Sequence, residues 1–239
     1  MKRSFIIILF FSVLLFSLDV HAQLKSYLTI SGGVSNPQGD YGSTDYSNNH
    51  AGFAKRGVTF GFDGAVYVFK KLAIGYTFSF QDQGKLTYND VNILAQGYTA
   101  SFKADQTTVN GYDRFHNWNL LVGPQYSFTY RKFILDLRAF GGLVDVTSTP
   151  ETVVELVGVP KQANYFYERR GHGLLLGYGA SAGLRFKLDD SWTIGIKSGY
   201  ISSKGPNITV DGLTDNIGRY VTNIPIREIQ TTFGIGLSF

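Results

Sequence analysis

The stretch Val58-Thr59-Phe60-Gly61-Phe62-Asp63-Gly64-Ala65-Val66-Tyr67-Val68, followed after Lys70-Lys71 by Leu72-Ala73-Ile74-Gly75-Tyr76-Thr77-Phe78-Ser79-Phe80-Gln81, decides the fold. Both segments alternate strictly. Successive side chains on a strand point to opposite faces, so Val58, Phe60, Phe62, Val66, Leu72, Ile74, Tyr76, Phe78 and Phe80 share one face. Thr59, Gly61, Asp63, Ala65, Tyr67, Ala73, Gly75, Thr77, Ser79 and Gln81 share the other. One face is bulky and apolar. The other is small and polar.

The same division recurs along the chain, giving eight expected strands: residues 25–35, 58–70, 72–81, 117–128, 133–144, 174–188, 192–201 and 229–239. Pro124 interrupts the fourth, because proline removes a ladder donor. The connections alternate as well. Residues 70–71, 129–132 and 189–191 are short links, whereas 36–57, 82–116, 145–173 and 202–228 are long and polar. This pattern predicts an all-β fold, an eight-stranded antiparallel up-and-down transmembrane β-barrel with short periplasmic turns and long extracellular loops. An even strand number returns both chain ends to the same side.

A soluble sandwich would also alternate, but it would have to hold the large residues of every strand inside. Eight strands enclose room only for fitted side chains. The bulky face is therefore expected against lipid, and closure satisfies every strand edge there. Two aromatic girdles are expected. Tyr67, Phe69, Tyr126, Phe128, Tyr130, Phe133, Phe186 and Trp192 belong to the short-turn end; Phe60, Phe62, Phe78, Phe80, Trp118 and Tyr200 lie toward the long loops.

The N-terminus fits export. Lys2 and Arg3 precede an apolar run from Phe5 to Leu18, and Val20-His21-Ala22 places small residues before a cut between Ala22 and Gln23. Residues 1–22 are read as a cleaved signal peptide and 23–239 as the barrel. The whole chain carries a formal charge of +4, and removal of Lys2, Arg3 and Asp19 leaves about +3. That charge is too small and scattered for nucleic acid. The absence of cysteine excludes disulfides and thiolate chemistry.

At the C-terminus, Thr232-Phe233-Gly234-Ile235-Gly236-Leu237-Ser238-Phe239 carries a polar residue, Gly two later and alternating hydrophobics that end in an aromatic. Through Thr232, Gly234, Leu237 and Phe239 it resembles the C-terminal assembly signal of the outer membrane protein β-barrel domain family, the small barrels related to the membrane domain of OmpA and to OmpX. The start at Gln23 after Val20-His21-Ala22 is similar to members from Bacteroidetes-type bacteria. The resemblance implies residence in the outer membrane of a Gram-negative bacterium, contact with outer-membrane lipid and lipopolysaccharide, and insertion by the barrel-assembly machinery. It implies no shared activity.

Candidate functional residues are few. Asp63, Asp136, Arg138, Arg185 and Lys197 fall on the inward face, where charges must be paired or hydrated. They are expected to form a structural network plugging the lumen; a gate for a small polar solute is the sharper alternative. Histidines His50, His116 and His172 fall in loops or at their ends. His116 lies near Asp113, and His172 follows Glu168, Arg169 and Arg170, but neither sits in the base–nucleophile spacing of a barrel hydrolase. No catalytic, cofactor-binding or metal site is expected. Tyr41, Tyr46, Tyr88, Tyr98, Tyr112, Tyr165, Phe166 and Tyr167 make the long loops suited to an extracellular partner, or equally to capping the barrel against proteases; Arg169 and Arg170 suit lipopolysaccharide phosphates, or stand as a solvated charge pair. A structural or surface-interaction role is the reading. A narrow pore or a secretion-accessory barrel like PorT stands as its alternative, and a lipid A-modifying enzyme as a lesser one.

Overall fold

The computed structural model describes residues 24–159, 165–213 and 218–239. The expected cleavage between Ala22 and Gln23 lies outside the described residues. In chain order the elements are β1 (Tyr27–Pro37), β2 (Gly57–Tyr67), β3 (Leu72–Asp82), α1 (Tyr88–Phe102), β4 (Gln106–Tyr112), β5 (His116–Tyr130), β6 (Phe133–Ser148), β7 (Glu151–Val157), β8 (Tyr165–Glu168), β9 (Gly173–Lys187), β10 (Trp192–Ser203), β11 (Val210–Asp211) and β12 (Ile226–Ser238).

Eight of the strands close into a barrel in the order β1-β12-β10-β9-β6-β5-β3-β2, every pair antiparallel. They are the eight strands the alternation requires. Tyr27 pairs with Ser238, so β1 begins where β12 ends, at the short-turn end. At Pro124 the β5–β6 ladder skips Gly123 and Pro124 and resumes in the same register, so the missing donor costs local bonds but no slip.

Side chains follow the pleat. Ile30, Phe60, Phe62, Ile74, Leu120, Val122, Leu176, Ile196, Phe233 and Ile235 are exposed on the outside, and together they make a continuous apolar wall that water would solvate poorly. Phe60, Phe80, Trp118 and Phe78 form a ring cluster toward the loop end, with Phe78 stacked on Trp118 at 5.2 Å. Phe69, Tyr126, Phe128, Tyr130, Phe133 and Trp192 are exposed near the turns. Tyr67 departs from the expectation: it points inward and is buried, bonded to Ser127. Its position two residues beyond Ala65 on the lumen face decides its direction, and aromatic character does not.

At the short turn between β9 and β10, Asp189 accepts hydrogen bonds from the amides of Trp192 and Ser191, which hold its carboxyl below the usual range.

The long connections are not simple loops. They fold into a second sheet, order β11-β8-β7-β4, with α1 packed on it around a core that includes Phe53, Leu94, Tyr98, Val109, Val154, Leu156 and Phe166. Thr87 caps α1 in a reciprocal box with Asp90, and Lys103 closes it in the left-handed conformation. No helix of the described residues is long and apolar enough to cross a membrane.

Candidate functional site: the lumen network and the loop module

The five charged residues expected on the inward face all point into the barrel, and the structure brings them together near its middle. Arg138, on β6, is the hub. Its Nη1 donates to Asp63 Oδ2 at 2.9 Å, Thr77 Oγ1 at 2.9 Å and the Tyr76 carbonyl at 3.1 Å. Its Nη2 donates to the Gly64 carbonyl at 3.0 Å and to Gln125 Oε1 at 2.6 Å, and Nε reaches the same Gln125 oxygen at 3.1 Å. The guanidinium lies over Gly75, where any side chain would collide with it.

Arg185, on β9, grips Asp136 with two bonds, Nε to Oδ2 at 2.6 Å and Nη2 to Oδ1 at 3.1 Å. The planar fork matches the carboxylate. Its guanidinium also covers the Tyr27 ring at 3.5 Å and donates to the Tyr67 hydroxyl. Ser127 adds a donor to Asp136 at 2.6 Å. Lys197, on β10, donates to Asp63 and Thr77. Asp136 and Arg138, neighbours on one strand, thus serve different partners. Severing one member of such a buried pair typically costs ~3–5 kcal/mol, because the other is left uncompensated.

A sixth acidic or basic side chain in the lumen, Glu228, falls one residue short of the last strand expected from the sequence, which starts at Ile229. The strand begins at Ile226, and Glu228 continues the inward alternation of Gln230 and Thr232. That alternation, extended one step back, is the readable signal. Glu228 is fully enclosed; it accepts from Ser35 at 2.8 Å, Gln83 at 3.2 Å and Gln230 at 2.8 Å. Among the described residues it makes no salt bridge. Beyond it the loop end is filled by hydrocarbon from Tyr41, Phe115, Leu121, Val144, Ile201, Ile224 and Ile226. The lumen is therefore blocked twice, by paired charges in the middle and by an apolar cap above.

The loop aromatics divide. Tyr41, Tyr98 and Phe166 are buried and so are not contact residues, because the loops need cores of their own. Tyr88, Tyr112 and Tyr165 are exposed. The Tyr98 hydroxyl donates to Glu168, which also accepts from Thr152 at 3.0 Å. Burial first, then the Glu168 carboxylate, push the Tyr98 hydroxyl well above its usual range. Arg219 donates to the carbonyls of Asn48 and Ala51 and lies over Phe53, tying the last long connection to the first.

Arg169 and Arg170 do not stand free for phosphates: Arg169 pairs with Asp211 at 2.8 Å and Glu151 at 3.6 Å, and Arg170 with Asp113 at 3.4 Å. Asp113 thereby faces an arginine, and among the described residues no salt bridge joins it to His116.

No family model matches the chain, and no curated protein does. Solved structures do. A major outer membrane protein from Thermus thermophilus aligns over 90% of this chain and 99% of its own at 9% identity and a TM-score of 0.47. Ail, the attachment invasion locus protein of Yersinia pestis, covers 91% and 99% at 13% identity and 0.45. Neisserial surface protein A covers 90% and 97% at 12% identity and 0.44.

Proposed function

We propose that this chain is an integral outer-membrane barrel of a Gram-negative bacterium that holds a folded recognition module at the cell surface. The reading rests on one observation: the long connections build a sheet, a helix and a core of their own on top of a barrel whose lumen is blocked. A barrel with an apolar outer wall and no open bore serves as an anchor, and a module with exposed Tyr88, Tyr112 and Tyr165 offers rigid aromatic contact area to a partner. Export would end with cleavage between Ala22 and Gln23. Assembly would use Thr232, Gly234, Leu237 and Phe239 on the strand that must find β1 to close the barrel. The apolar wall would meet outer-membrane lipid and lipopolysaccharide.

The chain has no cysteine, so single labels test the topology. In intact cells, Tyr112→Cys is expected to react with a membrane-impermeant maleimide, and Asp190→Cys only after the outer membrane is opened. Reaction of Asp190→Cys in intact cells, or protection of Tyr112→Cys, would refute the orientation. Recovery of the mature chain in soluble periplasmic extract would refute the membrane reading altogether.

A further inference from the structure

The charge pairing in the middle of the lumen does not balance. Three cations, Arg138, Arg185 and Lys197, line one cavity with two carboxylates, Asp63 and Asp136. Asp63 Oδ2 serves both Arg138 and Lys197. The remaining carboxylate, Glu228, lies four residues along β12 from Thr232 of the cavity wall, about 13 Å at the usual strand rise, and is occupied by neutral donors.

Donors are left over on the same side. Arg185 uses Nε and Nη2 on acceptors, and no bond from its Nη1 is found among the described residues. Lys197 uses two of its three hydrogens. Gly183, Gly195 and Gly234 leave the space that Arg185 and Lys197 line. Its volume is about 40 Å³, enough for some three waters at ~10–15 Å³ each, or for one small ion with a water. From the short-turn end a wider recess of about 340 Å³, bordered by Lys25, Lys187, Asp189 and Asp190, reaches the other side of Arg185. The cap closes the loop end.

We propose that this cavity binds one small monovalent anion of the halide class, entering from the short-turn side and held by Arg185 and Lys197. An unneutralised cation in a narrow barrel is costly, and a halide in this chamber neutralises it. Because the loop end is closed, the ion exchanges with one compartment only and does not cross.

The test uses the mature chain refolded in detergent micelles, with chloride as the probe and the ³⁵Cl line width as the readout. Wild type is expected to broaden the line saturably, and bromide to reverse the broadening by competition. Lys197→Met, which balances the cavity, is expected to weaken chloride at least tenfold, and Asp63→Asn, which adds to the cation excess, to tighten it. Broadening that never saturates, that bromide does not reverse, or that survives unchanged in Lys197→Met overturns the site. Should Lys197→Met fail to give the heat-modifiable folded band, bromide competition in wild type and the direction of change in Asp63→Asn decide the matter by themselves.

Discussion

Gly75→Ala puts the lumen network to its most direct test. A Cβ at position 75 would lie 2.2 Å from Arg138 Nε, 2.5 Å from Cζ and 2.8 Å from Nη2. Restoring an ordinary contact of 3.4 Å at Nε needs a shift of about 1.2 Å. The bonds from Arg138 to Asp63, Thr77, Gly64 and Gln125 run from 2.6 to 3.4 Å, so such a shift carries them beyond useful range. Complete loss of one partner of a buried pair costs ~3–5 kcal/mol. Asp63 keeps Lys197, so the expected loss is about 2–4 kcal/mol. Equilibrium unfolding in guanidinium with the barrel in lipid vesicles reads this directly: at a slope of ~4 kcal/mol/M, the midpoint falls by about 0.5–1 M. Gly183→Ala is the matched control on the same lumen face. Its Cβ would meet nothing nearer than 3.5 Å, and it should gain up to ~1 kcal/mol from the lost flexibility of glycine. Combining Gly75→Ala with Arg138→Ala should cost no more than Arg138→Ala alone, since the clash has been removed. If Gly75→Ala behaves like Gly183→Ala, the guanidinium does not rest over Gly75 and the network as described is wrong.

Thr87→Ala should cost the α1 cap ~1 kcal/mol, seen as faster proteolysis within residues 88–102 with the barrel's heat-modifiable band unchanged. Alkaline pH should loosen the loop module. The Tyr98 hydroxyl is raised by burial and by Glu168, so its contribution is complete below the unfolded value of ~10 and is lost as the pH climbs from there through the folded value; Tyr98→Phe should flatten that part of the proteolysis–pH profile. Planar bilayers holding the purified barrel should show no regular conductance steps, because Leu121, Ile224 and Ile226 fill the loop end; steps of uniform size would refute the cap.

The eight barrel strands are legible because each repeats the same two-residue contrast between a bulky and a small face, and lipid outside with a narrow lumen inside permits only one assignment of the two. Strand ends are less legible. Glu228 reads as loop because a buried acid without a cation offers no local cue, although Gln230 and Thr232 already fix its direction. The loop module escapes a sequence reading for a different reason. Its helix buries Asp90, Leu94, Tyr98 and Phe102 at four-residue intervals behind a Thr87–Asp90 cap, a pattern visible in the sequence but submerged in a polar, Tyr- and Asn-rich stretch. β7 alternates buried Thr152, Val154 and Leu156 with more exposed neighbours, yet such a short segment alone does not distinguish a sheet from an extended loop. Whether Tyr98 or Tyr88 is buried depends on which connections meet above the barrel, and that is a property of four loops together.

Membership of the lumen network can be read from pleat direction, but its pairing cannot. Asp136 and Arg138 sit on one face of one strand, and in an isolated sheet their proximity would favour each other. Closure changes the choice, because the opposite wall comes within reach of a long side chain. Arg138 extends from β6 past Gln125 on β5 and over Gly75 on β3 to Asp63 on β2, three strands away. Asp136 is left to Arg185 on the neighbouring β9. The crossing needs a long donor, an acceptor partway and a residue beneath with no side chain. All three are present in the sequence, on three separate strands, and only the closed ring brings them into line.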